Sequence, residues 1–178
     1  MTSLALNGEP IGFVKPKTSV LKRLVTCALI SLCAYGALSA FLTRYKVNID
    51  ITPQRCLSAW VYLLDTKDKE IKPGDLISIE GHYGILPDKY RYTKMVGGVA
   101  GQKVTYDGMY IENSNGFKKY APPNKEYYKL KKERNLPTEW NLKGNELFLM
   151  GDTQYSLDSR VVGLADASYI LGKAYVLF

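Results

Sequence analysis

Histidine and cysteine are both scarce in this chain of 178 residues. The single histidine, His82, excludes a histidine-rich metal centre and disfavours a Ser-His-Asp catalytic triad. Three cysteines are too few for a disulfide scaffold, and no segment repeats at the period of a solenoid protein. We therefore predict no metal and no other cofactor. Because 46% of the residues are hydrophobic, disorder is also excluded, and one domain with an ordinary core is expected.

Positive charge does not dominate the chain beyond its first residues. The chain has 24 Lys and Arg against 17 Asp and Glu, a formal net charge of +7. Residues 1–23 hold four basic residues against Glu9 alone, so the rest is only mildly basic. Such a surface lacks the strong positive charge of a nucleic-acid-binding domain, and we predict no nucleic-acid partner.

One long uncharged run lies at residues 24–43. As a helix, its 20 residues would span roughly 30 Å, the thickness of the hydrocarbon core of a bilayer. The basic residues in front of it favour a cytoplasmic N-terminus under the positive-inside rule. We predict a cytoplasmic tail over residues 1–23, a single transmembrane signal anchor over 24–43 and an outer domain over 44–178.

Two other interpretations of this run are weaker. A cleaved secretory signal would use Ala37-Leu38-Ser39 as its cleavage site, but the tail and the apolar run are both long for a signal peptide. A buried core helix is disfavoured because the run is long and apolar on all sides. The anchor contains Cys27 and Cys33, so Cys56 is the only thiol of the outer domain.

Short β-type runs separated by turn signals fill the outer domain. Asp107-Gly108 lies between two such runs, residues 104–106 and 109–111, and is a strong two-residue hairpin signal. Further runs lie at residues 62–64, 76–79, 146–150, 169–171 and 174–178. This spacing predicts an all-β barrel or sandwich and not a βαβ fold.

Residues 118–134 form a basic segment in which Lys and Arg alternate with Tyr120, Tyr127 and Tyr128. Its basic residues are Lys118, Lys119, Lys125, Lys129, Lys131, Lys132 and Arg134. Such a pattern can bind single-stranded nucleic acid. We interpret it instead as a solvated insertion, or as a loop that rests on anionic headgroups near the anchor.

Three short segments of the outer domain carry candidate chemistry. They are Cys56-Leu57-Ser58, the glycine-rich stretch from Lys94 to Val104, and the terminal stretch from Gly151 to Gly163. With only one histidine available, the base for a nucleophile is most simply a lysine kept uncharged by burial. Lys94 precedes an apolar stretch, and the paired glycines after it allow close backbone approach.

The terminal stretch supplies partners for that lysine. Asp158 and Arg160 can form an ion pair that holds their loop rigid. Ser156 can then offer its hydroxyl to an uncharged lysine amine. Each segment alone is weak, and only their order behind a membrane anchor favours catalysis.

This order resembles the type I signal peptidases with a Ser/Lys dyad, and in particular the shorter TraF-type conjugative-transfer peptidases. Gly74-Asp75 and the four residues after it resemble the first β-motif of that family, and Lys94 to Val104 lines up without gaps on its lysine motif. The terminal Gly-Asp…Ser-x-Asp-Ser-Arg motif is one residue shorter than in the housekeeping enzymes, as in the conjugative type. The matches extend over residues 48–163.

The resemblance implies a membrane-anchored, serine-type peptidase of all-β fold that cleaves precursors after small residues where they emerge from the membrane. Carried over residue by residue, Lys94 becomes the general base and Ser156 orients it. Asp158 and Arg160 brace the site, and Asp152 supports the loop.

The nucleophile is where this sequence departs from the family. Counting back from Tyr62, the serine position of the family falls on Cys56 and its proline position falls on Ser58. Three alternatives follow: Cys56 attacks as part of a Cys/Lys dyad, Ser58 attacks from the same face of an extended segment, or the site is inactive. We favour Cys56, because an unpaired thiol in a potentially oxidising compartment is unusual.

The sequence therefore predicts a signal-peptidase-like β-barrel or sandwich domain behind one transmembrane helix. We place it in the bacterial inner membrane, with the N-terminus cytoplasmic and the catalytic domain periplasmic. The predicted activity is processing of a conjugative pilin or another exported precursor, with conjugative transfer or type IV secretion components as partners. The resemblance leaves two outcomes open for the cut pilin, hydrolysis to a linear product or cyclisation. The alternatives are a general signal peptidase I and an inactive structural subunit of a conjugative pilus or type IV secretion assembly.

Overall fold

The structure, a computed structural model, describes residues 19–51, 53, 55–81 and 90–178. His82 and most of the predicted cytoplasmic tail lie outside the described residues. The described part of the chain divides into two compact units, one that ends at Ala40 and one from Phe41 to Phe178.

The first long element is α1, Val20–Arg44, which contains the whole of the predicted anchor. Leu and Ala are its commonest residues and proline is absent, so the run favours helix. None of its residues is buried, and its length and composition suffice to cross a membrane. The helix is therefore consistent with a membrane anchor, and its insertion and orientation stay predictions.

The outer domain is mostly β-sheet, as predicted. Its strands are β1 Tyr45–Ile49, β2 Val61–Asp65, β3 Leu76–Glu80, β4 Arg91–Gly98, β5 Lys103–Tyr106, β6 Tyr110–Asn113, β7 Lys118–Tyr120, β8 Glu139–Asn141, β9 Glu146–Met150, β10 Ala165–Asp166 and β11 Ile170–Val176. Its helices are α2 Lys125–Arg134 and α3 Ser159–Val162, with a 3₁₀ turn at Ala167–Tyr169.

These strands form two antiparallel sheets. The larger has the order β1-β2-β11-β3-β4-β9-β10, and the smaller has the order β7-β6-β5-β8. Both are open, and the described strands close no barrel. A mostly β fold behind an apolar helix is thus present, whereas the barrel or sandwich arrangement is not confirmed.

Most sequence-predicted strands are present with small shifts of their ends. The Asp107-Gly108 hairpin is confirmed by the pairing of β5 with β6, although Met109 belongs to the turn and not to the strand. The last two predicted runs are one strand, β11, which enters the large sheet between β2 and β3. The basic segment, interpreted from the sequence as an insertion or loop, contains β7 and α2.

Two apolar clusters position the strands that carry the site. One joins the smaller sheet to β9 through Val104, Ile111 and Phe148, and the other packs Ile77 of β3 against Val96 of β4. A Cβ at Gly98 would lie 2.3 Å from a Val104 methyl carbon, so this glycine permits β4 to approach Val104 closely, next to the register shift between β4 and β9.

Candidate active site

Lys94 lies in the middle of β4 and is 2% exposed. Its amine donates hydrogen bonds to Ser156 Oγ at 3.1 Å and to the Leu157 carbonyl oxygen at 2.6 Å. The backbone of Lys94 pairs with Ile77 of β3, which fixes the height of the side chain in the sheet. The lysine motif and the terminal motif, 62 residues apart in sequence, therefore meet at this amine.

Cys56 and Lys94 line the same cavity, which has a volume of about 900 Å³. The other walls come from residues 48–51 at the end of β1, residues 90–93 of the β4 region, the start of α2, and Gln154, Tyr155 and Leu157. Among the described residues, no hydrogen bond joins the Cys56 sulfur to the Lys94 amine. The cavity therefore holds both members of the predicted dyad, and the contact between them stays a prediction.

The segment that carries Cys56 is a bend outside the strands. Leu57 is buried against Tyr62 and Ala174, which anchors the bend between the two candidate nucleophiles. Thr153 donates its hydroxyl hydrogen to the Arg55 carbonyl, and the Asp152 N–H donates to the Cys56 carbonyl at 3.0 Å. The backbone on both sides of the thiol is therefore hydrogen-bonded to the stretch from Gly151 to Gly163, which we call the terminal loop.

Ser58 is bound to Asp152 through two further hydrogen bonds. Its backbone N–H donates to Asp152 Oδ1 and its hydroxyl donates to Oδ2, each at 2.7 Å. Ser58 is not among the described residues that line the cavity. Because the segment bends, Ser58 does not share a strand face with Cys56, which differs from the extended segment that the sequence suggested.

The side chains of Asp158 and Arg160 form a fully buried ion pair behind the lysine. Arg160 donates to both carboxylate oxygens, at 2.9 Å and 2.7 Å, and the Gly151 N–H donates to Asp158 Oδ2 at 3.0 Å. Burial by itself would raise the pKa of Asp158, but the hydrogen bonds and charge of Arg160 outweigh it and hold that pKa below its ordinary value. The pair is satisfied on both sides, since Arg160 also donates to the Pro122 carbonyl.

Gly151 lies where the terminal loop, the cysteine segment and Ser156 converge. A Cβ at this position would lie 2.2 Å from the Cys56 carbonyl oxygen and 2.2 Å from Ser156 Oγ. Only glycine therefore permits the backbone of the terminal loop to pass between these groups without displacing one of them.

Asn124 is a site residue that the sequence analysis missed. This buried side chain donates from Nδ2 to the Ser156 carbonyl, and its Oδ1 accepts from the N–H groups of Glu126 and Tyr127, which caps α2. The cap could have been found, because Asn followed by a Lys-Glu-Tyr-Tyr run is a helix start signal. The hydrogen bond to Ser156 could not have been predicted from the sequence, since it joins residues 32 positions apart.

Comparison with known proteins identifies the class of this chain. Residues 17–178 match the family model for signal peptidase, peptidase S26, so the chain belongs to the S26 signal peptidase family. This is a family of serine-type peptidases, and the resemblance to signal peptidases is thereby confirmed. The TraF-type assignment stays a prediction.

Solved structures match this chain as well. Nineteen chains of solved structures match, among them a signal peptidase I from Enterococcus faecalis V583. That structure is 19% identical with a TM-score of 0.41, and the match covers 63% of this chain and 100% of that one. No curated protein matches.

Proposed function

We propose that this protein is a membrane-anchored endopeptidase of the signal peptidase type, with Cys56 as its nucleophile and Lys94 as its general base. The observation that supports this most directly is the buried Lys94 amine, held by Ser156 and Leu157 on the wall of the cavity that Cys56 also lines. The proposed setting is the bacterial inner membrane, with the outer domain in the periplasm.

The environment of Lys94 suits a base. No ion pair to Lys94 is found within the described part of the chain, and an ammonium group buried without a carboxylate partner is costly. An uncharged amine has two hydrogens and one lone pair. The hydrogens have acceptors in Ser156 Oγ and the Leu157 carbonyl, which leaves the lone pair for a proton from the nucleophile.

The cavity suits an extended substrate. Residues 91–94 of β4 pair with β3 on one side, while β9 begins its pairing only at Met95. The other side of residues 91–94 therefore has no strand partner among the described residues, and it borders the cavity. A precursor segment added there as a strand would present its scissile carbonyl between β4 and Cys56.

In the proposed mechanism, Lys94 takes the proton of the Cys56 thiol and the sulfur attacks the scissile carbonyl carbon. The tetrahedral intermediate collapses when Lys94 returns this proton to the leaving amine, which breaks the peptide bond and leaves a thioester. Lys94 then takes a proton from water, whose oxygen attacks the thioester and releases the acid and the thiol. An amine in place of water would give an amide, which is the route to a cyclic product.

For the substrate, we propose a conjugative pilin precursor that is cut after small residues where it leaves the membrane. Conjugative transfer or type IV secretion components are the proposed partners. The terminal motif supports this choice over a general signal peptidase, because its spacing agrees with the conjugative type. The bonds from Ser58 to Asp152 support a positioning role for Ser58 and thus favour Cys56 as the nucleophile.

The test is precursor processing in cells that carry single substitutions, followed by mass spectrometry of the pilin. Cys56→Ala and Lys94→Ala should each accumulate the uncut precursor, whereas Cys56→Ser should retain part of the activity and Ser58→Ala most of it. Lys143→Ala, at an exposed turn position, is the matched control for lysine removal.

Other results of this experiment would assign the protein a different function. Normal processing by both Cys56→Ala and Lys94→Ala, together with lost pilus assembly, would identify an inactive structural subunit. Loss of growth, and not of mating alone, would identify a general signal peptidase. A pilin whose mass is lower than that of the cut linear product by one water molecule would identify cyclisation.

A further inference from the structure

The outward face of α2 carries a row of lysines that the proposed reaction does not use. Lys125, Lys129 and Lys132 follow the i, i+4, i+7 spacing, on the side of the helix away from buried Tyr127. All three are exposed, and none forms an ion pair with a described side chain. We call these three residues the lysine row.

The lysine row begins at the candidate active site. Lys125 is one of the residues that line the cavity shared by Cys56 and Lys94. The cap residue Asn124 holds this end of α2 to the Ser156 carbonyl. From there the row runs along the helix for roughly 10 Å, which matches about three residues of an extended peptide.

A chain that leaves the cavity along α2 would meet positive charge at each turn of the helix. The side chain of Glu126 also lines the cavity, but the helical spacing places Glu126 and Glu133 on a flank of the row. The face is therefore complementary to an acidic peptide. A single exposed ion pair contributes little binding free energy, but three ion pairs along the lysine row would act on the same peptide segment.

An anionic bilayer fits this face less well. A helix that lies in a membrane surface needs an exposed apolar side. In α2, Tyr127 is buried in an apolar cluster of the domain and Leu130 is half-buried, so neither is fully available to a membrane surface.

We propose that the lysine row binds an acidic segment of the precursor on the carboxyl side of the scissile bond. This rests on the proposed function, since the amino side of the precursor would lie towards the membrane. The lysine row would then act as a specificity determinant that lowers KM for precursors with acidic residues just after the cut.

The test uses the full chain in uncharged detergent micelles and two peptides with the same small-residue cleavage site. One peptide has three Glu residues in the first six positions after the cut, and the other has Gln at the same positions. We expect KM to be about fivefold lower for the Glu peptide at low salt, with kcat unchanged. This preference should disappear in Lys129→Glu/Lys132→Glu and at about 0.5 M salt, but persist in Lys143→Glu.

Equal KM values for the two peptides would overturn the proposal. So would a preference that the double variant retains. Normal kinetics of the double variant in micelles, with reduced activity only in nanodiscs that contain anionic lipid, would overturn it in favour of a lipid surface.

A binding measurement separates this proposal from the proposed function. Fluorescence anisotropy of the labelled Glu peptide should show tighter binding to the wild-type chain than to the double variant. If neither peptide is cut while this difference holds, the proposed function is wrong and the lysine row still binds acidic peptide. If both peptides are cut and no difference in binding is seen, only the lysine row proposal fails.

Discussion

At the scale of single residues, the position of the Cys56 thiol depends on hydrogen bonds between its segment and Asp152. Asp152 binds the backbone and the hydroxyl of Ser58 and, through its own N–H, the carbonyl of Cys56. Gly151 leaves room for this arrangement. The thiol therefore depends on the terminal loop for its position, although it lies nearly a hundred residues earlier in the chain.

Replacing Asp152 by Ala should lower kcat by about tenfold with a smaller change in KM, since the two side-chain bonds that hold Ser58 beside the thiol are lost while the substrate edge of β4 is kept. Ser58→Ala removes only one of the three bonds and should retain most of the activity. Peptide cleavage kinetics measure both. Loss of activity in Ser58→Ala as large as in Cys56→Ala would instead support Ser58 as the nucleophile.

Replacing Gly151 by Ala should reduce kcat/KM by at least about tenfold, because the new methyl group would displace the Cys56 carbonyl or Ser156. Gly172→Ala is the matched control, since its Cβ would lie equally close, at 2.2 Å, to the Asp65 carbonyl oxygen in another part of the sheet. Both variants should unfold at lower temperature. If Gly151→Ala keeps normal kcat/KM, the close approach at this loop has no catalytic role.

At the scale of elements, α2 is joined to the terminal loop at its first turn. Asn124 caps the helix and also donates to Ser156, whose hydroxyl accepts a hydrogen bond from Lys94. Arg160 adds a second link by donating to the Pro122 carbonyl just before the cap. A helix inside the basic segment thus supports the candidate active site.

The two roles of Asn124 can be separated by substitution. Asn124→Ala should cost about 1 kcal/mol of stability through loss of the cap and should also reduce cleavage. Asn124→Ser should recover most of the cap, but its short side chain should fail to reach the Ser156 carbonyl. Thermal unfolding and peptide cleavage, measured on both variants, test this. Full recovery of cleavage by Asn124→Ser would show that only the cap matters.

The elements also show what the sequence can and cannot predict. Turn residues and apolar runs located most strands, and the Asp107-Gly108 hairpin followed from local chemistry alone. The helix α2 was missed because its lysines and tyrosines were interpreted as a surface pattern, although Asn124 marks a helix start. The two hydrogen bonds between Ser58 and Asp152 join residues 94 positions apart, and neither residue type nor spacing indicates that contact.

At the scale of the whole molecule, two carboxylates of the outer domain are each held by an arginine partner. Hydrogen bonds from Arg44 lower the pKa of Asp65 to about 2, and Arg160 holds the pKa of Asp158 below its ordinary value. A folded-state pKa below the unfolded value stabilises the fold above about pH 4, and this stabilisation is lost as pH falls through the folded-state pKa.

The outer domain should therefore lose thermal stability between about pH 4 and pH 2. Asp158→Asn should be destabilised at neutral pH, by about 3–5 kcal/mol, because Arg160 would be left buried without its partner. Its unfolding temperature should also depend less on pH in the acid range. Thermal unfolding of the full chain in detergent across this range measures both effects. An unchanged acid dependence in Asp158→Asn would assign the loss to other groups.

The position of β11 in the large sheet sets an order of events during biosynthesis. This strand lies between β2 and β3, which are made about a hundred residues earlier. Because β2 and β3 do not pair with each other, this part of the sheet is incomplete until β11 is made. Pulse-labelled ribosome-bound chains that lack β11 should accordingly remain sensitive to an added protease. A nascent molecule of the proposed peptidase would then acquire its cutting ability only after β11 has left the ribosome, which protects it and its neighbours from premature cleavage.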